Sequence, residues 1–345
     1  MEVPLRLPAF IASARTEPKI EVKMEVEAEN TAQTAAVLTD AAGVTRRMGI
    51  LPPTGEAPDK QVEVLMGQVE HYARRAARLA EAGGEVLLLA GFPDLCRMRL
   101  ALLGAKRAGL PVVVTMRARR HDDTHEDVTA ETETIAGDNL ISCLVCAQKM
   151  GADAFGVVWD TCPTINAEGM KLLRGHAAIP LVAMVEETLT DAQAQALLTL
   201  GFSIVGSPNA AAWSAADFAA ADTQVDLVAG DRIILCDSQN VYYVEEEFAF
   251  SEPLDGELDM SEAILDAENE GADVLLFHVE DTEDAEFMCG NFHMTRVAVG
   301  MHAEDGAALE QALLGYHGCA IIDARSDVPE EEQQLLAKGY GAVIR

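Results

Sequence analysis

The sequence lacks the features of a membrane or secreted protein. No apolar run approaches the roughly 18 residues that a membrane-spanning helix requires. The N-terminal residues include two early prolines, Glu2 and only a weak basic region, so we expect no signal peptide. No low-complexity tract is present. We therefore expect a globular protein in the cytoplasm.

Basic residues are also scarce. The 345 residues include 25 Lys and Arg against 57 Asp and Glu, which gives a formal net charge of -32. Such a negative field repels phosphate backbones and anionic lipid, so binding to nucleic acid or to a membrane surface is excluded as a function. An acidic solvated surface is the simplest interpretation. A protein partner or a homodimer is the alternative.

A disulfide framework is not expected. The seven cysteines are odd in number and scattered through apolar segments, which favours buried reduced thiols. Cys143 and Cys146 form a Cys-x-x-Cys within an Ala-rich helical stretch. Because no second cysteine pair is nearby, we expect both thiols to be buried packing groups.

Repeating βα units organise the chain from about residue 40. Runs such as Val86–Leu89 and Val112–Val114 are apolar on both faces, as in parallel strands covered by helices. They predict an α/β fold, and a (β/α) barrel is favoured over a doubly wound sheet. A second set of about five strands follows a junction at 222–232. Too few strands are present to close either barrel, so we expect the halves to pack together or a second chain to cover them.

Local patterns add further expectations. We predict a strand over 8–12 and helices over 30–42 and 129–150. Period-two alternation at 20–26 and in parts of 241–250 predicts half-exposed strands, such as a paired ribbon.

Several segments resemble homocysteine S-methyltransferases. Met48-Gly-Ile-Leu-Pro-Pro-Thr-Gly-Glu56 is similar to the family's Gly-x-Ile-Gly-Pro-Thr-Gly-Glu loop. Gly151-Ala-Asp-Ala-Phe-Gly-Val157 resembles its "GADAIGVNC" strand, and Gly201-Phe-Ser-Ile-Val-Gly206 its "GARIVGGCCGT" segment. The resemblance runs collinearly over about 8–221. It implies a TIM-barrel-like (β/α) domain over 1–222 that lacks the family's first strand.

The second part resembles the pterin-binding module that follows this barrel in cobalamin-dependent methionine synthases. Gly271-Ala-Asp-Val-Leu275 is similar to "AGADVLDVN", and Leu309–Ile322 is similar to "LEAALKAYPGKAIINS". The resemblance implies a partial second (β/α) barrel module over 231–345.

The family's metal and cofactor contacts are replaced. Its zinc is held by three cysteine thiolates and activates the thiol of homocysteine, but those positions fall on Trp159, Pro208 and Asn209. The glutamate that holds the substrate amine falls on Ala90. Pterin contacts are replaced as well, for example at His278 and Asp323–Ala324. We therefore expect neither zinc nor the cobalamin and folate linkage of the family.

Two functions follow from this resemblance. The first is methyl transfer to a thiol without zinc-dependent activation of homocysteine. The alternative is a non-catalytic binding or assembly protein derived from methionine synthase.

Candidate substrate-binding residues lie where the loops at the barrel mouth are expected. Asp160 and Cys162 follow the strand that ends at Trp159, and Cys162 is a candidate reactive thiol. Thr54 and Glu56 belong to the retained loop, whose Pro and Gly are equally consistent with a simple turn. No metal site is predicted.

His121 and His125 complete the substrate-binding candidates. They lie in the cluster His121-Asp-Asp-Thr-His125-Glu-Asp127, which suits a divalent metal or, alternatively, an acidic solvated loop. The remaining histidines considered, His278, His293 and His302, show no pattern and are interpreted as structural or exposed.

Overall fold

A parallel sheet with helices between its strands forms the first half of the chain. The computed structural model describes residues 35–39, 45–54, 61–118, 133–162, 167–207 and 232–345. The first sheet contains β1 (Ala35–Thr39), β2 (Thr45–Leu51), β3 (Val86–Phe92), β4 (Val112–Arg117), β5 (Ala154–Trp159), β6 (Leu181–Val185) and β7 (Ile204–Gly206). The intervening helices are α1 (Val62–Glu81), α2 (Leu95–Lys106), α3 (Leu140–Lys149), α4 (Ala167–His176) and α5 (Asp191–Thr199). The strands lie in chain order; β1 is antiparallel to β2, and all later neighbours are parallel.

A second parallel sheet follows a short ribbon. The ribbon pairs β8 (Ile233–Cys236) with β9 (Val241–Val244) in antiparallel fashion. The sheet contains β10 (Leu254–Asp255), β11 (Val274–Val279), β12 (Ala298–Ala303), β13 (Ile321–Ile322) and β14 (Val343–Ile344), again in chain order. Its helices are α6 (Ser261–Asn269), α7 (Thr282–Asn291), α8 (Gly306–Gly315) and α9 (Glu330–Tyr340), with a 3₁₀ turn at Phe292–Met294.

Both faces of the first sheet are buried and apolar. The helix-covered face includes Leu87, Leu89, Val112 and Val114. The opposite face includes Val86, Leu88, Val113 and Ala154. Strand side chains alternate between faces, so a parallel strand covered on both sides must be apolar throughout. The predicted α/β class is confirmed: β2–β7 form a curled parallel half-barrel of the TIM-barrel-like kind.

The two halves are joined by a buried arginine. Arg99 of α2 is 2% exposed and donates from Nη2 to Leu313 O (2.9 Å) and from Nη1 to Leu314 O (3.3 Å) and Tyr316 O. These carbonyls are at the end of α8, where a helix has unpaired acceptors and partial negative charge. The halves therefore pack against each other, as expected. The domain limits at 222 and 231 stay predictions, because 208–231 lie outside the described residues.

The helix predicted over 30–42 is wrong. Residues 35–39 form β1, which pairs with β2 in the register Ala36↔Met48. Alanine has the highest intrinsic helix propensity, but propensity is a weak determinant of structure. Pairing along a sheet edge outweighs it here. The strand predicted at 8–12 and the alternation at 20–26 lie outside the described residues.

Two further helices differ from expectation. The helix predicted over 129–150 begins at Leu140, because the Asn139 side chain accepts a hydrogen bond from Ile141 N (2.8 Å) and caps it. Helix α7 was not predicted; Asp281 caps it by accepting from Glu283 N and Asp284 N. The alternation at 241–250 is a paired ribbon only over Val241–Val244. Within the described residues, every helix is too short or too polar to span a lipid bilayer.

Candidate functional site

An arginine lies between two carboxylates at the carboxyl edge of the first sheet. Arg117 is the last residue of β4, and its Nη1 and Nη2 form ion pairs with Asp160, directly after β5, and Glu186, directly after β6. The side chains are 30%, 53% and 47% exposed, respectively. Hydrogen bonding to Glu186, followed by the charges of both carboxylates, raises the pKa of Arg117 against the effect of burial. The guanidinium therefore stays charged and solvent-accessible.

A bulge in β3 lies beside this arginine. The register between β3 and β4 shifts between Leu89 and Phe92, and Gly91 has a φ of +65°. Gly91 N donates to Thr115 Oγ1 (2.9 Å), and that hydroxyl donates to Leu89 O (3.0 Å). A Cβ on Gly91 would lie 3.8 Å from Arg117 Nε. Gly91 therefore contacts the Arg117 side chain from a left-handed backbone conformation, which favours glycine.

Cys162 is close to this edge but is not an activated thiol. Its backbone N–H donates to Glu187 Oε1 (2.6 Å). Burial, followed by the negative charge of Glu187, raises the pKa of the Cys162 thiol. A nucleophilic cysteine needs the opposite shift, because the thiolate is the reactive form.

Thr54 is oriented toward a helix. Its N–H donates to the Tyr72 hydroxyl (3.0 Å), and its own hydroxyl bonds Tyr72 (3.2 Å) and Gln68 (3.4 Å) of α1. These bonds fasten Thr54, which follows β2, to α1. Of the predicted candidates that lie within the described residues, Asp160 alone belongs to the Arg117 cluster. Glu56, His121 and His125 lie outside the described residues.

The described residues do not fit a zinc ion held by three thiolates. Trp159 packs edge-on against Phe202, at 5.8 Å between ring centroids, in the cluster on the helix-covered face. An indole side chain has a donor N–H and no lone pair to offer a zinc ion. Pro208 and Asn209 lie outside the described residues. Within the described part of the chain, no three His, Cys, Asp or Glu side chains are grouped as a metal site.

The position that corresponds to the family's substrate-binding glutamate has no polar group. Ala90 is half-buried against the apolar cluster on the second face of the first sheet. A methyl group cannot pair with a ligand amine.

Two histidines on neighbouring strands form a second polar group, at the carboxyl edge of the second sheet. His278 and His302 are paired in register, with ring centroids 5.7 Å apart. His278 Nδ1 bonds Asp255 Oδ1 (2.9 Å), and His302 Nδ1 bonds Asp323 Oδ2 (3.1 Å). The interpretation of these histidines as residues without a pattern is therefore wrong. His293, by contrast, is exposed, as expected.

A sequence signal for this pair exists and was missed. Phe277-His-Val-Glu-Asp281 and Met301-His-Ala-Glu-Asp305 repeat the same pattern at two successive strand ends. In each copy the aspartate caps the following helix. A repeated βα unit places its equivalent residues side by side on adjacent parallel strands.

Asp323 is the most buried carboxylate of the second group, at 1% exposure. Burial opposes its ionisation, but hydrogen bonds from Arg325 and His302 together lower the pKa of Asp323. Arg325 binds it through Nε (3.0 Å to Oδ1) and Nη2 (2.9 Å to Oδ2). An ionised buried carboxylate that accepts from Nδ1 orients the His302 ring.

Cys143 and Cys146 of α3 lie near two further cysteines that are distant in the sequence, Cys236 and Cys319. Cys143 and Cys146 are fully buried, as predicted. Cys319, however, contacts the side chains of Cys146 and Cys236, and its N–H donates to Cys236 O (2.8 Å). Burial raises the pKa values of Cys143 and Cys146 well above their ordinary range, so these thiols are inert packing groups.

Sequence comparison identifies distant relatives. No family model matches the chain. Methionine synthase of Mycobacterium tuberculosis (strain ATCC 25618 / H37Rv) is 26% identical over 154 residues, which covers 39% of this chain and 12% of that protein. Methionine synthase of Mycobacterium leprae (strain TN) is 28% identical over 115 residues, covering 33% of this chain and 9% of that protein. The chain thus spans only a small part of the length of these curated relatives.

Structural comparison finds weaker likenesses. The apo form of the homocysteine methyltransferase MmuM from Escherichia coli has a TM-score of 0.39 and 15% identity, covering 48% of this chain and 58% of that chain. The carboxyl transferase domain of Rhizobium etli pyruvate carboxylase with 3-bromopyruvate has a TM-score of 0.34 and 14% identity, covering 46% of this chain and 26% of that chain.

The chain is thus a parallel α/β protein whose first sheet is a TIM-barrel-like half-barrel. Its sequence similarity is to methionine synthase, and the predicted resemblance to homocysteine-methyltransferase-like proteins is confirmed.

Proposed function

We propose that this chain is a non-catalytic binding protein related to methionine synthase, and that it does not perform zinc-dependent methylation of homocysteine. The observation that carries the proposal is Arg117, which is held between Asp160 and Glu186 at the edge where the related barrels carry their chemistry. The group offers ionised hydrogen-bonding atoms at this edge but no thiolate that could hold zinc.

The same cluster indicates the chemistry of a ligand. Two half-exposed carboxylates share one guanidinium, so the cluster has one excess negative charge. Ionised oxygens form their strongest hydrogen bonds with charged donors. A small molecule that carries a cationic amine fits this arrangement, and the raised pKa of Cys162 does not favour thiol chemistry.

Methyl transfer to a thiol is the second candidate function. The similarity to methionine synthase favours it. It would require a means of thiol activation other than the three-thiolate zinc site of the family.

An assay with added zinc separates the two functions. The purified chain is incubated with homocysteine and a methyl donor, either S-methylmethionine or methylcobalamin, and methionine is quantified. We expect no methionine above the protein-free control and no stoichiometric zinc by metal analysis. One zinc per chain together with methionine formation would refute the proposal. Methionine formation without zinc would establish the second candidate.

Ligand binding is tested separately by calorimetry with homocysteine and with a diamine such as putrescine. We expect homocysteine to bind weakly or not at all, because Ala90 lacks the carboxylate and a charge-assisted hydrogen bond contributes about 1.5–3 kcal/mol. The diamine should bind the wild type and lose affinity in Asp160→Asn. Exposed Asp191→Asn, on α5, is the matched control. Equal diamine affinity in all three proteins would contradict the ligand assignment.

A further inference from the structure

His278 faces a carboxylate at each of its ring nitrogens. Nδ1 bonds Asp255 Oδ1 (2.9 Å), and Nε2 lies 3.4 Å from Glu304 Oε1. The three side chains belong to β11, to β10 and to the loop after β12. A neutral imidazole has one N–H and one lone pair, so it donates to only one of the two carboxylates. Both are satisfied only when the ring is protonated at both nitrogens.

Strand β10 is short, and the chain on either side of it is fastened by bonds of Ser251 to β11 and of Asn291 to residues 257 and 258. Its two residues pair only with β11, in the register Leu254↔Phe277 and Asp255↔His278. The next residue, Gly256, lies against α7, where an added Cβ would be 2.7 Å from Asp284 Oδ1. A two-residue edge strand has few ladder hydrogen bonds of its own, so a side-chain contact adds to its attachment.

Negative charge surrounds the ring. Besides Asp255 and Glu304, Glu280 follows on the end of β11, and Asp284 lies on α7, where it accepts from Glu280 N (3.1 Å). The ring of His302, on β12, lies next to the His278 ring, and its Nδ1 is bonded to Asp323. The charge of Asp323 is balanced by its ion pair with Arg325. The excess of carboxylates favours a proton on His278.

We propose that His278 is a proton-operated clamp, which when protonated ties the edge strand β10 and the loop after β12 to the carboxyl edge of the second sheet and releases them when it loses its proton. Ligands of parallel α/β sheets bind at the carboxyl ends of the strands. Release of β10 therefore opens the carboxyl edge of the sheet at His278.

The pH range of release follows from the direction of the shift. The hydrogen bond to Asp255, with help from Glu304, raises the pKa of His278 above its ordinary value and outweighs burial. A histidine whose pKa is higher in the folded than in the unfolded protein stabilises the fold when it is protonated. That stabilisation is complete below the unfolded pKa of about 6.5, and it is lost as the pH rises through the folded pKa. The clamp is closed in mildly acidic solution and opens toward alkaline pH.

The test combines NMR titration of the His278 ring with amide hydrogen exchange of residues 254–257 in the full chain, over about pH 6–9, a range that spans the ordinary histidine pKa. In the wild type, we expect protection factors at 254–257 to fall as pH rises. In His278→Gln, they should be low and independent of pH. His293→Gln, an exposed histidine outside the group, should keep the wild-type profile.

Two carboxylate variants give an independent measurement. Asp255→Asn and Glu304→Gln should each move the His278 titration midpoint to lower pH, and Asp255→Asn by more. An unchanged midpoint in Asp255→Asn would overturn the clamp. Identical pH dependence of protection in the wild type and in His278→Gln would also overturn it. If His278→Gln does not fold, Asp255→Asn supplies the exchange comparison.

Discussion

At the scale of single residues, Arg99 shows how one side chain joins the two sheets. It is 2% exposed and its guanidinium donates to three carbonyls at the end of α8. Buried charge is costly unless hydrogen bonds satisfy it, and here the partial negative charge at the helix end supplies the partners. Removal of the Arg99 guanidinium would leave these carbonyls without its hydrogen bonds, and this loss is its main effect on the free energy of unfolding.

We predict that Arg99→Met lowers the free energy of unfolding by about 3 kcal/mol. The variant keeps most of the apolar stem but leaves buried carbonyls without donors, and unsatisfied buried polar groups cost about 1–3 kcal/mol each. Urea denaturation monitored by circular dichroism measures the change. Arg107→Met is the matched control, because Arg107 pairs with Glu70 at about half exposure and a surface ion pair contributes about 0–1 kcal/mol. Equal losses in both variants would contradict the prediction.

At the scale of elements, α1 and α2 pack at a contact that only glycine permits. A Cβ on Gly104 would lie 2.5 Å from Val69 O and 2.8 Å from Ala73 N. Both atoms belong to the backbone of α1, so they cannot move aside as a flexible side chain would. The close approach brings the two helices together over the first sheet.

Gly104→Ala should therefore destabilise the protein by about 1–3 kcal/mol, despite the higher helix propensity of alanine, because the extra methyl overpacks the contact. Gly290→Ala in α7 is the opposite case: nothing lies within 4 Å of the added Cβ. It should raise stability by up to about 1 kcal/mol through propensity alone. Thermal unfolding of both variants provides the comparison, and stabilisation by Gly104→Ala would show that α1 and α2 separate at no cost.

At the scale of the whole molecule, the two sheets share buried apolar surface. One cluster includes Leu65 and Leu100 from α1 and α2 together with Leu309 and Leu313 from α8. Each half thus completes its core with residues from the other. Such surface would be exposed to water if the halves separated.

We expect limited proteolysis within 208–231 to leave the two pieces associated. After cleavage, the fragments should elute together on size exclusion and separate only in denaturant, because the shared core and the Arg99 contacts remain. A folded, monomeric and soluble 231–345 fragment would contradict this expectation. A variant with Leu313→Ala should release the fragments at lower denaturant concentration, whereas exposed Leu335→Ala should not.

The sequence by itself determined the local elements and the relationship of this protein. Apolar runs, caps and helical periodicity are local signals, and they predict most strands and helices and the α/β class. The loop motif and the two Gly-Ala-Asp segments indicate the resemblance that the similarity to methionine synthase supports.

Only the tertiary structure decided the sites. Arg117, Asp160 and Glu186 meet because three parallel strands end at one edge, and no local spacing encodes that meeting. His278 and His302 pair through strand register, and residues 35–39 become a strand because β2 offers an edge. The physical reason is the same in each case: these interactions join residues distant in sequence, so their free energy exists only once the sheet has formed.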